Sequence, residues 1–192
     1  MSAVRRDAQS NRARILQVAE EVFGRGGEAA STEEVARLAG VGIATVFRHF
    51  PTKAALLEAV LLERFGRLKA RADALAGADD AGEAFFAYFR HMVEDSATKI
   101  TIGEALIGTG ALSEGDESPI DRAAADLRGA LGVLLERAQK AGAVRDDVDL
   151  PEVYALLIGA SRSAYYARLD TGVRDRSLAI IFDGLRGSAV AG

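Results

Sequence analysis

Apolar residues recur along the chain three and four apart, and almost every such run is bounded by a capping residue or a glycine. Ile15, Leu16, Ala19, Val22 and Phe23 make one helical stripe, predicting a helix from about Ser10. The residues before it, 1–9, read as a mobile arm, whose Arg5 and Arg6 either reach towards a nucleic acid or belong to a solvated tail. Ser31-Thr32-Glu33-Glu34 has the form of a capping box, opening a short helix with Val35, Ala36 and Leu38 on it. Gly40 stops that helix, and a second short one is predicted from Gly42 to His49. Pro51 cannot continue a helix and Thr52 can cap one, so a long helix is expected from Thr52 to Leu75, carrying Leu56, Leu57, Val60, Leu61, Phe65 and Leu68. Further helices are predicted near 80–96, 98–108, 118–141, 150–169 and 173–187, punctuated by Gly77-Ala78-Asp79-Asp80, Ser118-Pro119, Gly142 and Asp149-Leu150-Pro151-Glu152. Residues 109–117 are polar and glycine-containing and read as a loop. The prediction is an all-α fold of about nine helices.

Within it, Ala36, Gly40, Val41 and Val46 stand at telling offsets. Ala36 is small where two helices would cross, Gly40 permits a left-handed turn, and Val41 and Val46 fill the wedge between the helices. This is a helix-turn-helix pattern, whose second helix enters the major groove of DNA. The run GVGIATVFRHFPTK, preceded by RILQVAEEVFGRGGEAASTEEVARLA and followed by AALLEAVLLERF, resembles the TetR family of one-component transcriptional regulators over residues 10 to 66. The resemblance implies a three-helix DNA-binding head over residues 1–56, joined by the long helix to an effector-binding and dimerisation domain over 57–192. It also implies a homodimer that binds a palindromic operator on double-stranded DNA and is released by a small-molecule effector.

Residues 1–56 carry a balance of +2 and the remainder −6, so the net −4 is divided into a basic head and an acidic body, which steers the head towards DNA. Cysteine is absent and histidine limited to His49 and His91, which argues against thiolate chemistry and a His-rich metal site. No cofactor is expected. Neither a signal-type h-region nor an apolar run of membrane-spanning length occurs, and a cytoplasmic protein without membrane association is expected.

The first turn of the recognition helix, Gly42-Ile43-Ala44-Thr45, offers no side-chain hydrogen bonds to bases before Thr45. Ile43 and Ala44 can meet thymine methyls, with DNA shape contributing to preference. Arg48 is able to pair bidentately with guanine, or to clamp a phosphate. Thr45, His49 and Lys53 match family positions that hold phosphates, although a partly buried His49 bonded to its own backbone is the alternative. Thr32 matches a position that meets a phosphate at a helix N-terminus. Phe47 stands where relatives have Tyr, Gly42 where they have a hydroxyl cap, and Glu28 where an aromatic is usual. Glu33, basic in some relatives, reads as pointing to solvent.

In the second domain Phe85, Phe86, Phe89 and Met92 read as core. With polar Arg162, Tyr165 and Tyr166 on a later helix, however, Phe85, Phe89 and Met92 could line an effector pocket. The helices at 150–169 and 173–187 are apolar on more than one side and could meet a symmetry mate as a four-helix interface. Two other classes compete with this reading. A helical small-molecule-binding protein without DNA binding is suggested by Glu33, Gly42, Phe47 and the acidic balance. An enzyme is disfavoured: Gly110 to Gly115 misses the nucleophile-elbow spacing by one position, and no paired carboxylates or nucleophile–base set stands out.

Overall fold

The computed structural model describes residues 3–110 and 118–187, and among them the chain forms nine α-helices and no strand. They are α1 (Ala3–Gly26), α2 (Thr32–Leu38), α3 (Ile43–His49), α4 (Lys53–Leu75), α5 (Ala81–Glu94), α6 (Ser96–Gly108), α7 (Pro119–Lys140), α8 (Leu150–Tyr166) and α9 (Thr171–Leu185). A single 3₁₀ turn, Gly27–Ala29, follows α1. Side-chain caps account for several starts. The Ser31 hydroxyl accepts from Glu34 N at 3.2 Å, Asp80 from Glu83 N at 2.8 Å, Ser118 from Asp121 N at 3.1 Å and Asp170 from Val173 N at 2.9 Å.

Two expectations are corrected. Residues 3–9 are not an arm but the first turns of α1, because Ala3 to Ser10 holds good helix formers and no breaker before the apolar stripe begins. The side chains of Arg5 and Arg6 lie outside the described residues, as does 111–117, where most of the loop and of the Gly110–Gly115 stretch falls. At its other end α8 stops at Tyr166 rather than 169, since Arg168 adopts φ 49° and the Leu169 amide turns back to Ala164 O at 3.2 Å.

The helices gather into two compact units, Met1–Arg64 with Thr98–Asp121, and Phe65–Ala97 with Arg122–Gly192. In the first, Ile15, Ala19 and Phe23 of α1, Val35 and Ala36 of α2, Val46 of α3 and Leu56, Leu57 and Val60 of α4 share one core with Ile102, Ala105 and Leu106 of α6. This unit therefore extends beyond residue 56, taking in the next turns of α4 and a helix from much later in the sequence.

The second unit is built around α5, whose Phe85, Tyr88 and Phe89 are fully buried. Phe89 meets Phe182 of α9 edge-on at 5.5 Å and Phe86 meets the same ring at 4.9 Å. The Tyr88 hydroxyl donates to Leu68 O at 3.3 Å, and burial pushes its phenol far above the ordinary range, so it stays neutral. Gly82 is required by close approach: a Cβ there would lie 2.5 Å from that of Ala143. Arg137 closes the end of α4 by donating to Ala78 O at 2.9 Å.

Candidate nucleic-acid interface

The α2–α3 corner follows from a few local rules. α2 ends at Leu38, the Gly40 amide donates to Arg37 O at 3.2 Å and the Val41 amide to Ala36 O at 3.1 Å, and Gly40 holds φ +64°, where a side chain would be strained. The chain then re-enters a helix with Gly42 as an extended N-cap lacking a side-chain bond. Thr45 N and Val46 N instead turn to Gly42 O at 2.8 and 3.3 Å. Val46 and Phe50, one turn apart, point inward and are almost completely buried, fixing which face of α3 looks out. Burying a residue such as Val46 contributes about 1.5–3 kcal/mol, enough to set that rotation.

What faces out is Gly42, Ile43, Ala44, Phe47 and Arg48, all exposed, with Thr45 and His49 half-buried at the edges. Arg48 has no acidic partner among the described residues, so its fork of donors is available. Ile43 and Phe47 are large apolar side chains left 36% and 41% exposed. On a head this small, such a stripe beside the Arg48 guanidinium suits apolar and bidentate contacts to base edges. The Cβ position of Gly42 has nothing within 4 Å, leaving the backbone open to close approach.

Other expected contacts are placed differently. Thr32 is buried, and its hydroxyl lies 3.4 Å from the Glu33 carboxylate. Glu33 is exposed, and its own backbone N–H together with the Ser31 hydroxyl hold its carboxyl below the usual carboxylate range. The N-terminal turn of α2 is thus satisfied by the protein's own anion. Lys53 is half-buried; its ammonium donates to Glu28 O at 2.8 Å and Ala30 O at 2.7 Å and lies 5.5 Å from the centre of the Phe23 ring. Two of its three protons therefore pin the turn after α1, and one is left for another acceptor. Glu28, in the position where an aromatic is usual, packs its carboxylate against Gly108 of α6. Arg12, not singled out from the sequence, lies over the Phe50 ring at 5.2 Å and braces the end of α3.

In the second unit, Phe85, Phe89 and Met92 are buried among the aromatics, Tyr165 is half-buried, and Arg162 and Tyr166 are exposed on α8. Tyr165 and Tyr166 meet each other edge-on at 4.9 Å. A groove of about 290 Å³ runs between α8 and α9, lined by Ala160, Ser163, Ser177 and Leu178 among others, and none of those six residues borders it. Its sequence signal is the run of small residues Ala155, Gly159, Ala160 and Ser163, at helical spacing on α8.

An outward-facing recognition helix on a compact helical head, followed by a separate helical unit, defines a helix-turn-helix DNA-binding protein. Residues 15–60 match the model of bacterial regulatory proteins of the tetR family, and residues 80–187 that of the transcriptional regulator SbtR-like C-terminal domain. The chain belongs to the TetR family. Its fold is similar to that of the TetR transcription regulatory protein from Mycobacterium vanbaalenii, with 40% identity, 95% of this chain and 99% of that one covered, and a TM-score of 0.77. It is also similar to the TetR transcriptional regulator SCO0520 from Streptomyces coelicolor, with 29% identity, coverage of 93% and 99%, and a TM-score of 0.77. Comparison with curated proteins gave no match. The protein is thus a DNA-binding transcriptional regulator with a C-terminal ligand-binding domain, from a family of non-enzymatic regulators that bind small-molecule effectors and work as dimers. This decides against the reading in which DNA binding has been given up. Among the described residues no helix is long and apolar enough to cross a membrane.

Proposed function

We propose that the protein is a homodimeric repressor that holds a palindromic operator through two copies of α3 and lets it go when an effector binds the second unit. The outward face of α3, with Ile43, Ala44, Phe47 and Arg48 exposed against a buried Val46, is the observation that carries this reading. A two-fold dimer would present the two faces about 34–36 Å apart for successive major grooves. In this reading Arg48 reads a base pair, Ile43 and Ala44 meet thymine methyls, and Thr45, His49 and the free proton of Lys53 hold phosphates. Thr32, its side chain buried, contributes through its backbone amide. Basic Arg37, exposed on α2, adds to the field that draws DNA in.

For the effector we propose the second unit, with Phe85, Phe89, Met92, Arg162, Tyr165 and Tyr166 as the residues concerned. Because Phe85 and Phe89 are fully buried, a ligand there must part the aromatic core, and so selects a conformation other than the one described. α4 is continuous from Lys53 to Leu75, so a shift of its later turns is carried by the same helix to Lys53. The effect on DNA is a population shift away from head spacings that fit the operator.

The test is an unbiased selection of bound duplexes from a random pool. The expected result is a palindrome with half-sites one helical turn apart and binding that falls steeply with salt. Recovery of no common sequence would overturn the proposal.

A further inference from the structure

Resting on the dimeric reading above, we infer that a second copy of this chain docks on the outer face of α8 and α9 in a single register, in which Arg176 pairs with the partner's Asp183 and Asp183 with the partner's Arg176. The outward face of α9 carries Arg176, Ala179, Ile180 and Asp183, all exposed. Ile180, at 73%, is the most exposed large apolar side chain among the described residues and needs cover. The four positions are spaced evenly about the point between Ala179 and Ile180. A two-fold axis crossing the helix there runs it antiparallel to its mate and sets each cation opposite an anion and each isoleucine opposite an alanine. Arg176 and Asp183 are about 10 Å apart along the helix, so each lies only about 5 Å from the axis, within reach across helices packed 8–10 Å apart.

α8 repeats the pattern independently. Glu152, Ala155, Gly159 and Arg162 are exposed and evenly disposed about Leu157, again acid opposite base. The two midpoints also fall at one level. The Ala167–Asp170 loop joins α8 and α9 as a helical hairpin, in which residues equally far from the loop sit side by side, and Leu157 and Ile180 are equally far from it. The groove agrees, being lined by Gly159 and Ala160 from one helix and Ser177 and Leu178 from the other. One axis therefore serves both helices. The other possible axis, running along the hairpin, would lay α8 on the partner's α9 and bring Arg162 beside the partner's Arg176, cation against cation.

Arg176 and Asp183 are both exposed on α9. Arg176 has no acidic partner among the described residues, and Asp183 meets only the exposed Arg186 one turn on in its own helix. Glu152 already accepts from the Asp149 amide at 3.0 Å as part of the α8 cap, so the experiment is built on α9.

The dimerisation constant of the full chain is measured by sedimentation equilibrium for wild type, Arg176→Glu, Asp183→Arg and the double variant, with thermal melts reporting folding. Each single reversal should weaken the dimer about tenfold, since it turns two attractions into two repulsions. Mixing the two single variants should give chiefly the heterodimer by native mass spectrometry, and the double variant should dimerise like wild type. Single variants that dimerise like wild type, or that weaken without rescue by mixing or by the double change, overturn the register while leaving the dimer standing. A wild-type chain that stays monomeric at micromolar concentration overturns the dimeric reading itself.

Discussion

Glu33 places a negative charge on the exposed first turn of α2. Its own amide and the Ser31 hydroxyl hold the carboxyl below its usual range, so mild acidification to pH 5 leaves it charged and does not relieve its repulsion of DNA. Glu33→Gln should therefore raise operator affinity about three- to tenfold at low salt in a fluorescence titration. The gain should shrink near physiological ionic strength, where the Debye length is about 8 Å. Lys53 has the opposite character, a cation already engaged by the fold. Lys53→Met keeps the stem but strands the carbonyls of Glu28 and Ala30, and should lower the stability of the free protein by about 1–3 kcal/mol in urea, alongside any loss of DNA affinity. A variant as stable as wild type would restrict Lys53 to the DNA. The Ser31 cap and the Gly40 turn were legible in the sequence because each depends on residues three or four apart. The pair of hydrogen bonds that Lys53 donates was not, because its acceptors are backbone carbonyls more than twenty residues away, and carbonyls carry no sequence signature.

At the level of elements, the nine helices of the described residues were foreseeable from apolar spacing and caps, and the differences lay at the ends. The start of α1 was hidden because Ala3 to Ser10 is helix-forming without being amphipathic, so no stripe announced it. The early stop of α8 was hidden because Arg168, rather than glycine, takes the left-handed position at its C-terminus. That conformation is costly for a residue with a Cβ. Arg168→Gly should raise the stability of the chain by about 0.5–1 kcal/mol, or about 1–4 °C in melting temperature, with operator affinity unchanged. A lowered melting point would mean that the arginine side chain contributes more than its backbone costs.

For the whole molecule, the expected division after residue 56 reflects where the family motif stops, whereas the core of the head reaches through α4 to Val60 and Leu61 and takes in Ile102 and Leu106 of α6. Periodicity shows that a helix has an inner face without showing which core that face joins, so α6 could not be assigned from its pattern. The same holds for the effector site: Phe85, Phe89 and Met92 read first as core and only secondarily as pocket lining, and they are buried in the described conformation. The recognition face was legible because Val46 inside and Arg48 outside follow from one helix of known phase. It is therefore the part of the account most open to a direct trial, the selection of bound duplexes run in parallel on wild type and Arg48→Ala. Wild type is expected to yield a palindrome, and the variant the same palindrome with preference lost at one symmetry-related base pair in each half-site. An unchanged preference would contradict the assignment of Arg48 as the reader, and the absence of any palindrome from wild type would contradict the claim that two outward copies of α3 read the operator.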